Sequence, residues 1–169
     1  LFYIIIAFSQ IYAKSAPSQS EAGYAMGLGF SPQIFTALLM YSAVSLAISI
    51  TISGKCIDKI GRRIWLIWTT VAVAIFGLAL PYFLENGTTL SLFWFLIIGM
   101  GLIGMGYGPL SSFLPELFPT HVRYSGASLT YNIAGLFGAS VAAIIALPLN
   151  ANYGLKGVGI YLTLNAVLS

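Results

Sequence analysis

Four stretches of the chain, residues 22–54, 64–84, 86–115 and 124–155, contain no Asp, Glu, Lys or Arg. Each is longer than the about 20 helical residues that, at about 1.5 Å rise, cross a hydrocarbon core of about 30 Å. Charged residues make up only 7% of the 169 positions and hydrophobic ones 59%, whereas a soluble domain carries roughly 25% charged residues. An ordinary cytosolic enzyme is excluded. In lipid every backbone N–H and C=O must be paired within its segment, so unbroken apolarity over this length predicts helices rather than strands. The expected fold class is an all-α membrane bundle.

Six spans are expected. The first covers 1–13 and a polar, Ser/Gly-rich loop follows over 14–30. Ser31 and Pro32 read as N-cap and first helical residue of the second span, which runs to about 53. A charged loop over 54–63 leads to the third span, 64–84, and Glu85, Asn86 and Gly87 turn the chain into the fourth, 90–113. A polar loop over 115–125, a fifth span over 126–147 and a connection over 148–157 precede the sixth. The chain opens and closes inside apolar runs, 1–8 and 159–169, as expected of a piece of a longer protein.

The formal charge of +3 does not indicate nucleic acid, because seven basic residues spread over several loops make no phosphate-binding stripe. It indicates topology instead. Lys55, Lys59, Arg62, Arg63 and Arg123 fall in one set of loops, Lys14 and Lys156 in the other, and the positive-inside rule places the first set, with the 54–63 and 115–125 loops, in the cytoplasm. Trp65, Trp68, Trp94, Tyr82 and Tyr153 lie near span ends, where amphipathic rings favour the interface or pack within the bundle. The single cysteine, Cys56, permits no intrachain disulfide, and the single histidine, His121, does not make a metal site. No cofactor is expected. An integral membrane enzyme would need clustered His, Cys, Asp or Glu at bilayer depth, and the spans hold none.

The most specific stretch is Gly54-Lys55-Cys56-Ile57-Asp58-Lys59-Ile60-Gly61-Arg62-Arg63. Gly54 and Gly61 allow a close helix approach and a turn, and Asp58 suits the N-terminus of a neighbouring helix, where free N–H groups and the dipole favour an anion. A solvated loop whose charges only set topology explains the same composition. The spacing resembles the G-x-x-x-D-R-x-G-R-R signature of the major facilitator superfamily, with Lys59 where the family carries arginine. A second stretch, from Gly108 and Pro109 through Glu116-Leu117-Phe118-Pro119-Thr120-His121-Val122-Arg123-Tyr124 to Tyr131 and Asn132, resembles the helix 10 to helix 11 connection of the metabolite:proton symporter family within that superfamily.

The resemblance implies that residues 1–169 are the C-terminal six-helix half, helices 7 to 12 with the first and last truncated, of a twelve-helix transporter, and that the N-terminal half of the same protein is its partner. It implies a gate in which Arg62 or Arg63 and Arg123 pair with Glu116 while Asp58 docks on the other half. The spans carry no Asp, Glu, Lys, Arg or His, so a proton-carrying group is expected in the missing half. Substrate contacts from this half are then neutral, and the candidates are Gln10, Tyr12, Tyr41, Ser45, Tyr131 and Asn132. For each the competing reading is a helix-to-helix hydrogen bond. Gly101, Gly104 and Gly108 share one helical stripe and favour close packing, and Pro109 next to Gly108 adds a place for the helix to bend.

The function implied is secondary transport of a small organic acid or zwitterion by alternating access, coupled to protons, in a bacterial inner membrane. The alternatives are a non-transporting receptor or scaffold on the same fold, or another branch carrying sugars, organic cations or aromatic acids.

Overall fold

The computed structural model describes residues 2–15, 27–85 and 87–168, without the side chains of 112, 137 and 139–143. The described residues contain helices and connecting turns and no strand. A π-helical turn, Ile4–Phe8, runs directly into α1, Ser9–Lys14. The long helices are α2 (Pro32–Ile60), α3 (Arg62–Glu85), α4 (Thr89–Glu116) and α5 (Arg123–Leu168). α2, α3 and α4 are each long and apolar enough to cross a membrane.

Local chemistry sets the helix starts. The Ser31 hydroxyl accepts the Ile34 N–H at 3.4 Å with Pro32 at the first helical position, and the Thr88 hydroxyl accepts the Ser91 N–H at 3.2 Å. Each cap satisfies one of the N–H groups that a helix leaves without an intrahelical partner.

Helix ends depart from expectation in three places. The charged loop over 54–63 is not a loop: α2 continues through Lys55, Asp58 and Lys59, and the break is Gly61 alone, at φ 90° and ψ 145°. Nothing between Gly54 and Gly61 breaks a helix, since Lys and Ile propagate it well and Asp costs only a few tenths of a kcal/mol. The loop over 115–125 shrinks to 117–122, because α4 carries Pro115 within its last turn and α5 already begins at Arg123. The connection over 148–157 is likewise helical apart from Gly154, whose φ of 66° and ψ of −170° divide α5 into two helical segments. Gly61 and Gly154 each adopt a positive φ that a residue with a Cβ rarely takes. The turn expected at Glu85, Asn86 and Gly87 has α3 ending at Glu85 and Gly87 at φ 60°, while Asn86 lies outside the described residues.

Cross-helix contacts give the directions. Ser45 bonds the Ile97 carbonyl and Ser53 the Met105 carbonyl, both at 3.0 Å, so residue numbers rise together and α2 runs parallel to α4. Trp65 reaches the Met105 carbonyl at 3.1 Å and Phe76 stacks on Phe95 at 5.2 Å, so α3 runs antiparallel to α4. Gly77 meets Gly159, and the Thr163 hydroxyl donates to the Ala74 carbonyl at 3.1 Å, so the second segment of α5 is antiparallel to α3. The apolar core gathers Ile5, Phe8, Tyr12, Phe76, Leu80, Leu84, Phe95, Leu96, Val158 and Leu162 from five of these elements.

On α2 burial is inverted relative to a helix of a soluble protein. Ser42, Ser49 and Ser53 of α2 are buried, whereas Met40, Val44 and Ile48 are exposed. On α3 the exposed residues Ile64, Ile67, Val71, Ile75, Leu78 and Tyr82 recur every three or four positions and form one apolar stripe. Small polar side chains inside and large apolar ones outside suit a bundle surrounded by lipid. Of the five expected interfacial aromatics, Trp68, Tyr82, Trp94 and Tyr153 are exposed, and Trp65 instead packs with its indole N–H on α4.

Candidate functional site: an ion pair at the helix ends and an uncharged groove

The first site is electrostatic. Because Gly61 turns the chain in a single residue, Arg62 is the first residue of α3 and stands beside Glu116, the last of α4. Arg62 Nη1 donates to Glu116 Oε2 at 2.5 Å and Nη2 to Oε1 at 3.1 Å, a two-pronged fork between side chains that are 44% and 55% exposed. Such planar pairing fixes geometry as well as charge. Asp58 acts electrostatically on Arg62, and Arg123 on Glu116.

Only part of the expected set meets here. Among the described residues Arg62 alone is ion-paired with Glu116, while Arg63 and Arg123 are not. The Arg123 Nε is buried without a hydrogen-bond partner among the described residues. No described atom lies within 4 Å of the Cβ direction of Gly54, so the close approach expected at this glycine is not made among the described residues.

The second site is a groove of about 640 Å3 between Tyr3, α4 and the first segment of α5. Tyr3, Tyr107, Thr130, Tyr131 and Asn132 supply its polar atoms, Leu110, Leu114 and Leu136 its apolar wall, and none of its lining residues is charged. Tyr107 and Tyr131 lie 6.1 Å apart between ring centres, tilted by 42°, and their phenols interact. Phe2 supports Tyr107 edge-on at 6.2 Å. A Cβ on Gly135 would meet the Tyr3 hydroxyl at 3.3 Å and one on Gly138 the Tyr3 ring at 3.4 Å, so these glycines give Tyr3 its seat on α5.

The six neutral candidates divide. Tyr131 and Asn132 line the groove. The Asn132 amide nitrogen donates to the Ser128 carbonyl at 2.8 Å, one helical turn back. Tyr12 is buried and stacked on Phe8 at 5.9 Å, so it packs inside the core. The Ser45 hydroxyl is engaged with α4, Tyr41 is exposed on the outer side of α2, and Gln10 is half-buried outside the groove lining. Tyr3 and Tyr107 were missed. Tyr107 stands between Gly106 and Gly108, about 100° of helix turn from the stripe that faces α2, and its position in a glycine run was the available signal.

The glycine stripe lies against serine. A Cβ on Gly101 would meet Ser45 Oγ at 3.2 Å, one on Gly104 the Leu46 carbonyl at 2.7 Å, and one on Gly108 the Ser53 Oγ at 2.5 Å. Pro109 is buried inside the continuous helix α4.

The sequence matches the family model described as the Major Facilitator Superfamily over residues 1–162. The chain belongs to the major facilitator superfamily. It is an integral membrane protein. It is 90% identical over its whole length to a Haemophilus influenzae protein named provisionally as a metabolite transport protein, of which it covers 38%. It is 38% identical to the inner membrane metabolite transport protein YhjE of Escherichia coli K12, again over its whole length and covering 37% of that protein. With the proline/betaine transporter of Salmonella typhimurium it shares 30% identity over 86% of this chain and 31% of that one. The chain thus spans well under half the length of these relatives. No solved structure matches it.

Proposed function

We propose that this chain is the C-terminal half, helices 7 to 12, of a secondary transporter that moves a small organic acid or zwitterionic metabolite across a bacterial inner membrane by alternating access, coupled to protons. The protein performs no chemistry on the solute. The names of the relatives support transport, and the observation that carries the mechanism is the Arg62–Glu116 fork. A pair this exposed adds little to stability, because solvent screens it. Its place, where the chain reverses between α2 and α3 and meets the end of α4, suits a contact that biases one conformation over another. The 54–63 and 115–125 segments then face the cytoplasm, following the basic residues.

The titrating group belongs in the N-terminal half, since residues 64–84, 86–115 and 124–155 offer no acid, lysine or arginine. The test is uptake of labelled prolines, betaines and organic acids by the full-length protein in proteoliposomes, with and without an inward proton gradient. Gradient-stimulated accumulation of one compound is expected. Accumulation indifferent to a protonophore overturns proton coupling, and no uptake of any of these compounds with verified reconstitution overturns this solute class in favour of another branch of the superfamily or a receptor on this fold.

A further inference from the structure

A different groove, of about 460 Å3, lies between the two segments of α5 and takes both its walls from this chain. Ile145, Leu149 and Tyr153 of the first segment recur every four residues, as do Ile160 and Leu164 of the second, so each wall is one apolar stripe. Gly157 forms the floor. A Cβ there would meet Tyr153 Cβ at 2.8 Å and Leu149 at 3.2 Å, so the segments come this close because the residue is glycine. Ile145, Tyr153, Ile160 and Leu164 are exposed, which leaves the groove open along its length.

The end of the groove beside the Gly154 turn carries Lys156, whose side chain is exposed. A basic residue on this side runs against the bias that gathers five of the seven Lys and Arg in the other set of loops. Lys14, on the same side, has its ammonium over the Phe35 ring at 5.6 Å. Lys156 makes no ion pair among the described residues. From Lys156 to Leu164 the helix advances about 12 Å, within the about 15 Å that one leaflet contributes to a hydrocarbon core. The groove thus sets a cation at one end of an apolar trough as long as part of one acyl chain.

We infer that this groove binds an anionic phospholipid, with its phosphate on the Lys156 ammonium and an acyl chain laid between the two segments of α5. Lipid chains touch every outward apolar face of a membrane protein, and what selects an anionic lipid is a cation fixed beside the path of the chain. The outer face of α3 supplies the contrast. Ile75, Leu78 and Tyr82 are exposed there, and α3 ends in a carboxylate, Glu85. Gly159 lies against Pro81, so this end of α3 and the Lys156 end of the second α5 segment are on the same side of the membrane. Two apolar faces at one level therefore carry opposite charges.

With the basic loops in the cytoplasm, as proposed above, the lipid belongs to the outer leaflet; the site rests on that reading for its leaflet alone. The test is photocrosslinking of the full-length protein in phosphatidylcholine vesicles. A trace of phosphatidylglycerol or of phosphatidylcholine, each with a diazirine in its acyl chain, is added, and adducts are located by peptide mass spectrometry. Within 145–164 adducts of phosphatidylglycerol are expected to exceed those of phosphatidylcholine by about fivefold or more. Within 75–82 no such excess is expected. Lys156→Gln should remove the excess at α5, and Lys156→Arg should retain it.

Equal yields of the two lipids within 145–164 overturn the inference on the parent protein alone, whether or not the variants fold. No adducts there while 75–82 is labelled overturns it as well, because the groove is then covered by protein. An excess that survives Lys156→Gln in the folded variant also overturns it. Orientation is read separately, by labelling Lys156→Cys in an otherwise cysteine-free protein on intact cells with a membrane-impermeant maleimide. Failure to label intact cells, with labelling once the membrane is opened, overturns the orientation and the leaflet, while the phosphatidylglycerol excess still upholds the lipid site.

Discussion

Ser53 donates its hydroxyl to the Met105 carbonyl at 3.0 Å, and the same serine fills the space beside Gly108 where a Cβ would lie 2.5 Å from its Oγ. One residue of α2 therefore both bonds α4 and occupies the gap that glycine leaves. The arrangement recurs along the helix pair at Ser45, Ser49, Gly101 and Gly104. Close backbone approach gives α2 and α4 their dispersion contacts, which matter most where lipid tails are as apolar as the helices.

Gly104→Ala should destabilise the full-length protein, because its Cβ would sit 2.7 Å from the Leu46 carbonyl and 2.8 Å from Ser49 Cβ, and backbone does not move aside cheaply. The expected cost is about 1–3 kcal/mol. Gly106→Ala, with no described atom within 4 Å of its Cβ, should be neutral or stabilising by up to about 1 kcal/mol. Thermal unfolding in detergent reads both, and equal melting temperatures for the two variants would show that the α2–α4 approach is looser than described.

The α3–α5 crossing offers a second comparison. Gly159→Ala places a Cβ against the Gly77 carbonyl, and Gly77→Ala places one 2.6 Å from Thr163 Oγ1 and 2.9 Å from the Gly159 carbonyl. Both should lower the melting temperature clearly. Thr163→Val removes only the bond to Ala74 and the turn-back bond to Gly159, a loss of about 0.6 kcal/mol by the average of intramembrane hydrogen bonds. A larger loss for Thr163→Val than for Gly159→Ala would reverse the assignment of what holds this crossing.

The motif glycines should behave unlike each other. Gly61→Ala forces a side chain onto φ 90°, at a cost of about 1–3 kcal/mol, although there is room for the methyl group. Gly54→Ala is helical, meets no described atom within 4 Å, and improves helix propensity. If Gly54→Ala in the full-length protein is the more damaging of the two, its neighbour lies in the other half and the contact between halves is what it serves.

The ion pair predicts a change of accessibility rather than of stability. Glu116→Gln and Arg62→Ala should both increase labelling of cysteines placed on the cytoplasmic side of the cavity while leaving the melting temperature close to that of the parent. Arg63→Ala, which removes no observed pair, should label like the parent. Recovery of parent labelling in the charge-swapped double variant, Arg62→Glu with Glu116→Arg, is the decisive positive result, and parent-like labelling in both single variants sinks the gate.

The amino-acid sequence by itself determined that this chain is a set of membrane helices and roughly where they lie, because unpaired backbone groups are intolerable in hydrocarbon and long uncharged runs leave only one solution. It also placed the caps at Ser31 and the charged cluster around Gly61, both readable from short-range chemistry. Helix ends were less legible. A charged segment such as 54–60 reads as a loop when charge is taken to mean solvent, yet a helix propagates through it until a glycine takes a positive φ. Only the tertiary structure decided that Arg62 rather than Arg63 or Arg123 meets Glu116, that Ser45 serves α4, and that Tyr3 and Tyr107 join Tyr131 in one groove. These contacts link residues many positions apart and depend on how each helix is rotated about its axis. In a helix apolar on nearly every side, hydrophobic periodicity does not set that rotation. Packing of glycine against serine does, and it is visible only once two helices lie side by side.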